Sequence, residues 1–216
     1  NGKDGADGFR TVLNERRQAD LGVGNMGRLT TGLVGSQISI AEDGTHPFGF
    51  KLSALSSDGT SATLTGPAGA PPSATIDFAS QPSDNERIIV TLDMPDGRSV
   101  EMVMKGSAEP TSGSGEFQIG GTTAATAANF RAAMDAKIQE LAQTELAAGS
   151  AFAAAENFFA GNGETTQRVD GPPFDTATSL IAATPADTVI WYQGQSATDP
   201  RRSVDARVDD ATRVSY

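Results

Sequence analysis

The chain contains no cysteine and only one histidine, His46. The absence of cysteine excludes disulfide bonds, thiolate zinc sites and a cysteine nucleophile. A Ser-His-Asp triad would have to use His46, and no G-x-S-x-G segment supplies its serine. A histidine metal site would need a second histidine. His46 stands between Thr45 and Pro47, and we expect it to be a solvated turn residue.

Aromatic residues make up only 6% of the chain, and the sequence has no apolar run long enough to cross a bilayer. Acidic residues are plentiful enough for the carboxylate pair of a glycosidase, but few rings are available to stack on a sugar. Trp191 and Tyr192 are neighbours in a predicted strand, so they should point to opposite faces. We therefore expect no carbohydrate-cleaving site and a core with many small side chains.

Basic charge is also scarce, with 16 lysines and arginines against 27 acidic residues and a net charge of −11. A surface of this sign repels phosphate, so nucleic acid and anionic membranes are poor candidate partners. The same charge suits a protein that has to stay soluble while crowded against copies of itself.

The pattern of apolar residues changes along the chain. Helical spacing holds from Phe9 to Leu21, with Asp7 as the expected N-cap and Gly22 as the expected stop. Short alternating runs then predict strands at residues 37–40, 48–52, 62–64, 74–78, 87–94, 98–105 and 116–119. Pro95-Asp96-Gly97 predicts a hairpin turn between the fifth and sixth of these runs.

Two helices are predicted next. The longer one begins at Thr126, and Phe130, Met134, Ile138 and Leu141 form its apolar stripe. Gly149 is expected to end it, and Ser150 to cap a second, alanine-rich helix that carries Phe152 and Phe159. A short helical turn at 176–183, a strand at 188–192 and alternating runs at 203–208 and 212–216 complete the prediction.

This order predicts an α+β fold, mainly antiparallel β, with a long helix and a shorter helix packed on the sheet. The two ends are similar in character and differ from the middle. We expect residues 1–35 and 166–216 to form a smaller stem and residues 36–165 to form an outer α+β domain inserted in it. The chain begins at Asn1 and stops at Tyr216 in a predicted strand, so we interpret it as part of a longer protein.

The remaining motifs predict no chemistry. Residues 22–27 match G-x-G-x-x-G, but a predicted helix precedes them, the reverse of the order in a dinucleotide site, so we expect a connector. Asp4 with Asp7, and Asp209 with Asp210, do not have the spacing of an EF-hand loop. Three hairpin methionines, Met94, Met102 and Met104, are expected in the core. We predict no catalytic residue, no cofactor and no metal site, and hence no enzyme.

Three stretches are similar to alphaproteobacterial flagellins and flagellin-like hook–filament junction proteins. Residues 10–28, RTVLNERRQADLGVGNMGR, resemble the segment that leaves the first coiled-coil region of these proteins. Residues 167–195, QRVDGPPFDTATSLIAATPADTVIWYQGQ, and the later ARVDDATRVSY resemble their return segment. Residues 88–142, which begin IIVTLDMPDGRSVEMVMKG, resemble their central insertion domain.

The resemblance implies a structural subunit of the extracellular flagellar filament, exported unfolded and assembled outside the cell. In such proteins the terminal helices polymerise and the middle projects outward. The chain would be this middle region, a monomer by itself, whose partners in the whole protein are neighbouring copies or other flagellar subunits. The main filament protein and the junction protein both fit. The alternative is a surface module that binds a glycan, a host molecule or a phage. The filament hypothesis predicts that Asn1 and Tyr216 lie close together.

Overall fold

The computed structural model describes residues 2–3, 5–111, 113–159, 165–191, 205–207 and 213–215. The chain order begins with helix α1 (Phe9–Leu21) and continues with strands β1 (Leu29–Val34), β2 (Gln37–Glu42), β3 (Lys51–Ser57), β4 (Ala62–Ala68), β5 (Ser73–Phe78), β6 (Arg87–Asp93), β7 (Ser99–Ser107) and β8 (Glu116–Gln118). Helix α2 (Thr123–Leu141), a π-helical turn (Ala142–Leu146) and helix α3 (Ala147–Phe159) follow. The last strands are β9 (Gln167–Val169), β10 (Leu180–Ala182), β11 (Asp205–Arg207) and β12 (Arg213–Ser215).

Two four-stranded sheets form the middle of the molecule. One has the order β1-β2-β5-β4 and is antiparallel throughout; the other has the order β3-β6-β7-β8 and is antiparallel except for the β7–β8 pair. The predicted hairpin is present, since β6 and β7 pair from Arg87–Lys105 to Asp93–Ser99. The two sheets lie side by side at β3 and β4, and α2 packs against strands of both. Helix α2, the π-helical turn and α3 run on as one continuous helix of 37 residues. Together with the shorter α1, this helix and the antiparallel-rich sheets confirm the predicted α+β class.

One apolar core lies between the sheets and α2. The predicted stripe of α2 is buried in it, as are side chains of alternate residues on β2, β5, β6 and β7. Phe130 packs edge-on against Phe117 and Phe78, with ring centroids 5.0 and 5.6 Å apart. Burying a side chain of this size stabilises the fold by roughly 1.5–3 kcal/mol, so the stripe fixes the helix on the sheets.

The long helix does not stop where the sequence predicts. It starts three residues earlier than expected, because Thr122 caps it by accepting a hydrogen bond from the amide of Ala125 at 3.2 Å. At its far end it passes through the π-helical turn and continues across Gly149 and Ser150, so both predicted boundary roles are wrong. Both residues are buried, and the hydroxyl of Ser150 donates to the carbonyl of Leu146 one turn back instead of capping a new helix.

Four smaller predictions also differ from the structure. Gly8 is the N-cap residue of α1 and Asp7 makes a salt bridge elsewhere. The run at 48–52 becomes a strand only from Lys51. The predicted helical turn at 176–183 is a turn followed by β10, which pairs with β9. The strand predicted at 188–192 is reduced, within the described residues, to one bridge at Thr188.

The expected boundary between residues 35 and 36 falls in the turn between β1 and β2. These two strands pair over their whole length, from Leu29–Glu42 to Val34–Gln37. Helix α1 packs mainly on α3, which the sequence places in the outer domain. We therefore use two structural names below. The outer unit is β1–β8 with α2, and the base is residues 5–28, 147–159 and 165–191; the division into a stem and an outer domain stays a prediction.

Candidate functional site: the junction of the two end segments

The leading segment (residues 5–28) and the return segment (residues 165–191) meet in the base. Their backbones join at Asp7 and Thr188, which form a parallel bridge. The amide of Asp7 donates to the carbonyl of Asp187, and the amide of Val189 donates to the carbonyl of Asp7, both at 2.8 Å. Residues far apart in sequence are thereby fixed side by side. Asn1 and Tyr216, whose proximity the sequence predicts, lie outside the described residues.

Arg168 on β9 clamps this junction. Its Nε donates to Glu15 Oε2 at 2.7 Å, Nη1 donates to Thr188 Oγ1 at 2.7 Å, and Nη2 donates to Asp7 Oδ2 at 3.0 Å and to the other Glu15 oxygen. The Glu15 side chain is only 5% exposed. Its hydrogen bonds with Arg168 raise the pKa of the guanidinium further above its ordinary value. One permanently charged group thus ties α1, the leading segment and the return segment together.

The turn beside the clamp is organised by Asp187. Its carboxylate accepts hydrogen bonds from the hydroxyl and the amide of Thr184 and from the hydroxyl of Thr188. These bonds, with Thr184 contributing most, lower the pKa of Asp187 to about 2. The carboxylate is therefore ionised at all ordinary pH values.

A second arginine joins the base to the outer unit. Arg28, just before β1, is buried, and its Nη1 donates to the carbonyls of Asp175 at 2.9 Å, Ala177 at 3.2 Å and Ala19 at 3.5 Å. Its Nε lies 2.7 Å from Asp43 Oδ2. The guanidinium thus connects the end of α1, the loop after β2 and the return segment.

His46 belongs to this buried network, so the prediction of a solvated turn residue is wrong. Its side chain is 3% exposed, and Nε2 lies 2.6 Å from Asp43 Oδ1 and 2.9 Å from Arg28 Nη2. Its Nδ1 accepts the amide of Phe48 at 3.3 Å. Arg28 is 18 residues away in sequence, and no local pattern could have indicated this partner.

The glycine motif at 22–27 connects α1 to β1 and opens no helix. Gly27 has a φ of 60°, and a Cβ there would lie within 2.8 Å of the Phe50 ring and the Leu146 side chain. The amide of Phe50 donates to the Gly27 carbonyl at 2.9 Å, and the amide of Gly49 donates to Asp20 Oδ1 at 2.9 Å. Glycine is required because two loops cross here in close contact.

A cleft of about 560 Å³ lies beside this crossing. Leu21, Met26 and Leu29 contribute its apolar lining. Asp135 lies in its wall, where Oδ1 accepts the hydroxyl of Thr31 at 2.6 Å and Oδ2 lies 3.4 Å from Arg131 Nε. The cleft lies at the joint between α1, α2 and the first sheet.

A shallower groove of about 480 Å³ contains Trp191, the side chain on which a binding function would depend. Trp191 is 65% exposed and packs edge-on against Phe159, with centroids 5.4 Å apart. Among the described residues that line this groove, Lys3 and Thr188 have polar side chains, and the Thr188 hydroxyl is already bound to Arg168 and Asp187. Tyr192 lies outside the described residues.

The described part of the chain contains no group of three or more histidine, aspartate or glutamate side chains arranged to hold a metal ion. Asp7 is engaged by Arg168, and Asp4, Asp209 and Asp210 are not among the described residues. The three hairpin methionines are buried in the core, as predicted.

Among the described helices, none combines the length and the apolar character that crossing a bilayer requires. Comparison of the chain with protein-family models, characterised proteins and solved structures finds no match.

Proposed function

We propose that the chain is the outward-projecting middle region of an extracellular flagellar filament subunit of the flagellin type, with a structural role and no catalysis. The observation that carries this proposal is the junction of Asp7 with Thr188 under the Arg168 clamp. A chain that leaves a shaft, folds and rejoins the same shaft needs its two connections at one place. The base supplies such a place.

The contrast between the two halves of the molecule supports the same function. The outer unit buries a continuous apolar core, so it can fold as a compact unit that increases the diameter of the filament. The base contains a small apolar cluster and ion pairs that connect segments. One pair joins the base to the outer unit, and another joins the return segment to the leading segment. Removing one partner of such a pair leaves a buried charge unpaired, which is costly, so each pair requires both of the segments it joins.

The charge of the chain supports a surface location. Acidic residues exceed basic ones by 11, and like charge keeps closely packed copies from precipitating. In this function the chain contacts neighbouring copies or other flagellar subunits, and it binds neither nucleic acid nor a membrane. The alternative, recognition of a glycan, host molecule or phage, would use the Trp191 groove, where the Thr188 hydroxyl is already committed to the clamp.

A labelling experiment on flagella of the cells that produce the parent protein tests the proposal. Because the chain has no cysteine, Thr60→Cys in the exposed turn after β3 introduces one reactive thiol into this region. Maleimide-gold should then decorate the intact filament along its surface. The matched control Ala19→Cys, at a fully buried position, should label only after the filament is dissociated and unfolded. Filaments that lack the protein, or that hide the thiol of the Thr60→Cys variant until they are dissociated, would overturn the proposal.

A further inference from the structure

The outward face of α3 carries an apolar stripe. Its members follow one another at spacings of four, three and four residues, and they are Ala148, Phe152, Ala155 and Phe159. Phe152 is 54% exposed and Phe159 is 43% exposed, whereas the buried residues of α3 lie on another face of the helix. Such spacings place side chains in one line, and one helix packs along another with a line of this kind. The stripe therefore has the form of a contact for a second helix.

The end of the stripe next to the return segment is supported by other rings. The ring of Phe159 packs against Phe9 of α1 and against Trp191, with centroids 5.2 and 5.4 Å apart. It also meets Phe158 edge-on at 5.0 Å. An exposed ring that its neighbours already hold in place loses little conformational freedom when a partner covers it, which favours binding.

Negative charge borders the stripe. Glu145 and Glu156 are separated by about three helical turns, so they lie along the same edge of it. Residues 142–159 include no lysine or arginine, so the α3 helix of a second copy would offer these carboxylates no cation. Opposite charges across a contact favour association, and like charges oppose it. The helix that fits the stripe is therefore one with exposed basic residues.

Helix α1 offers such a surface. Arg10 and Arg17 are exposed and lie about two turns apart on the same side of the helix, with half-buried Leu13 between them. Both cations of α2 are already paired within that helix, as Arg131–Asp135 and Lys137–Glu140. Within one copy, α1 faces α3 with its buried side, where Val12 and Ala154 line the same small cavity. The exposed side of α1 is therefore available to the stripe of another copy.

We propose that the α3 stripe of one copy packs on the exposed face of α1 of a neighbouring copy, with the two glutamates facing the two arginines. The proposed filament function supplies the second copy, so the inference rests on that function and names the surfaces by which its subunits meet. The two surfaces differ, and a contact between unlike surfaces can repeat from copy to copy along a helical assembly. One pair of short helices buries much less than the roughly 1,600 Å² of a stable interface. The chain alone therefore associates weakly, and the contact gains strength when many copies are held in place.

The test measures association of the chain itself by NMR. An isotope-labelled chain is titrated with the unlabelled chain up to about 1 mM, a concentration at which a contact with a millimolar Kd is populated. The amides of Leu13 and Arg17 in α1 and of Phe152 and Ala155 in α3 should shift with concentration, while the amide of Val90 in the outer unit should not. Wild-type spectra that do not change with concentration would contradict the proposal.

A matched pair of variants tests the stripe. Phe152→Ser should weaken the association by about tenfold, because the contact then loses most of one apolar side chain. Val34→Ser removes an apolar side chain that is 80% exposed at the end of β1, outside the proposed contact. This control should leave the association unchanged.

An exchange of charge between copies tests the pairing of the two helices. One variant, Glu145→Lys/Glu156→Lys, makes the border of the stripe basic, and the other, Arg10→Glu/Arg17→Glu, makes the α1 face acidic. Each variant alone should associate at least about fivefold more weakly than the wild type, because like charges then meet. In an equal mixture, every contact between unlike copies again joins opposite charges, so the association should return to nearly the wild-type level.

A mixture that associates no better than the separate variants would overturn the proposal, as would an acidic α1 variant that associates like the wild type. If Phe152→Ser disturbs folding, the exchange of charge still decides. Because these measurements need no filament, their failure leaves the result of the Thr60→Cys labelling as it stands, and the two proposals can fail separately.

Discussion

The outer unit buries four phenylalanine rings and most of the large aliphatic side chains, whereas the separate apolar cluster between the base and the loop after β2 consists of Ala19, Phe48, Val169 and Ala177. The base instead buries Glu15, Asp20 and Arg28. The first region gains stability in proportion to the apolar surface removed from water. The second depends on each charge keeping its partner, because a buried charge is costly when it is left alone. The two regions should therefore fail under different substitutions.

The largest effect is expected for a charge placed in the outer core. Ile138→Asp puts a carboxylate without a partner between α2 and the sheets, where Ile138 is fully buried. We expect a loss of more than about 4 kcal/mol, enough to unfold the outer unit. Circular dichroism during thermal unfolding measures it. Gln139→Asp, the same change at the next, exposed position, is the control and should alter the melting temperature little. An unchanged melting temperature for Ile138→Asp would mean that the stripe is not core.

Removing the clamp should damage the base alone. Arg168→Met leaves Glu15 buried without its cation, at a cost of about 3–5 kcal/mol. Hydrogen exchange at the amides of Asp7 and Val189 should accelerate, while the amide of Val90 in the outer unit keeps its protection. The double variant Glu15→Gln/Arg168→Met removes the stranded charge and should recover most of the loss. Equal acceleration in both regions would contradict a separate role for the clamp.

Replacing Arg28 by lysine tests geometry at constant charge. An ammonium group cannot bind the carbonyls of Ala19, Asp175 and Ala177 while also contacting Asp43, as the planar guanidinium does. Arg28→Lys should destabilise the base by about 2 kcal/mol, the order expected for losing hydrogen bonds to a charged group. Chemical denaturation measures the change. A variant as stable as the wild type would show that charge alone holds this connection.

The smallest expected effect depends on pH. Because the folded pKa of Asp187 is lowered to about 2, its carboxylate stabilises the base above the ordinary aspartate pKa of about 4. That contribution is lost as the pH falls from about 4 towards 2. Asp187→Asn should be slightly less stable than the wild type near neutral pH and equally stable at the acidic end. Parallel acid-unfolding curves for the two proteins would exclude a role of this carboxylate in stability.

The sequence predicts the outer unit better than the base for a physical reason. Strand alternation and the α2 stripe repeat within a few residues, so the burial of Phe130, Met134 and Ile138 follows from their spacing. Arg168 and Glu15 are separated by 153 residues, and only the folded chain shows that they pair. The prediction for His46 is wrong for the same reason, since Arg28 reaches it from another element.

The end of α2 shows how a tertiary contact overrides a local signal. Gly149 followed by Ser150 is a common helix end and helix start. Here both residues are buried, and Asp96 of the β6–β7 turn approaches Gly149, where a Cβ would lie 3.4 Å from its carboxylate. A local pattern does not contain that neighbour. Nothing in the residue pattern indicates the π-helical turn at Ala142–Leu146 either.

The proximity of the leading and return segments can be measured in solution as a single distance. The chain has no native cysteine, so Lys3→Cys and Pro185→Cys, which both line the Trp191 groove, can carry two nitroxide labels for pulsed electron resonance. If the two segments meet in the base, the labels should give one narrow distribution at the short end of the measurable range. A separation comparable to the length of the 37-residue helix, about 55 Å at 1.5 Å per residue, would contradict a chain that leaves and rejoins one shaft.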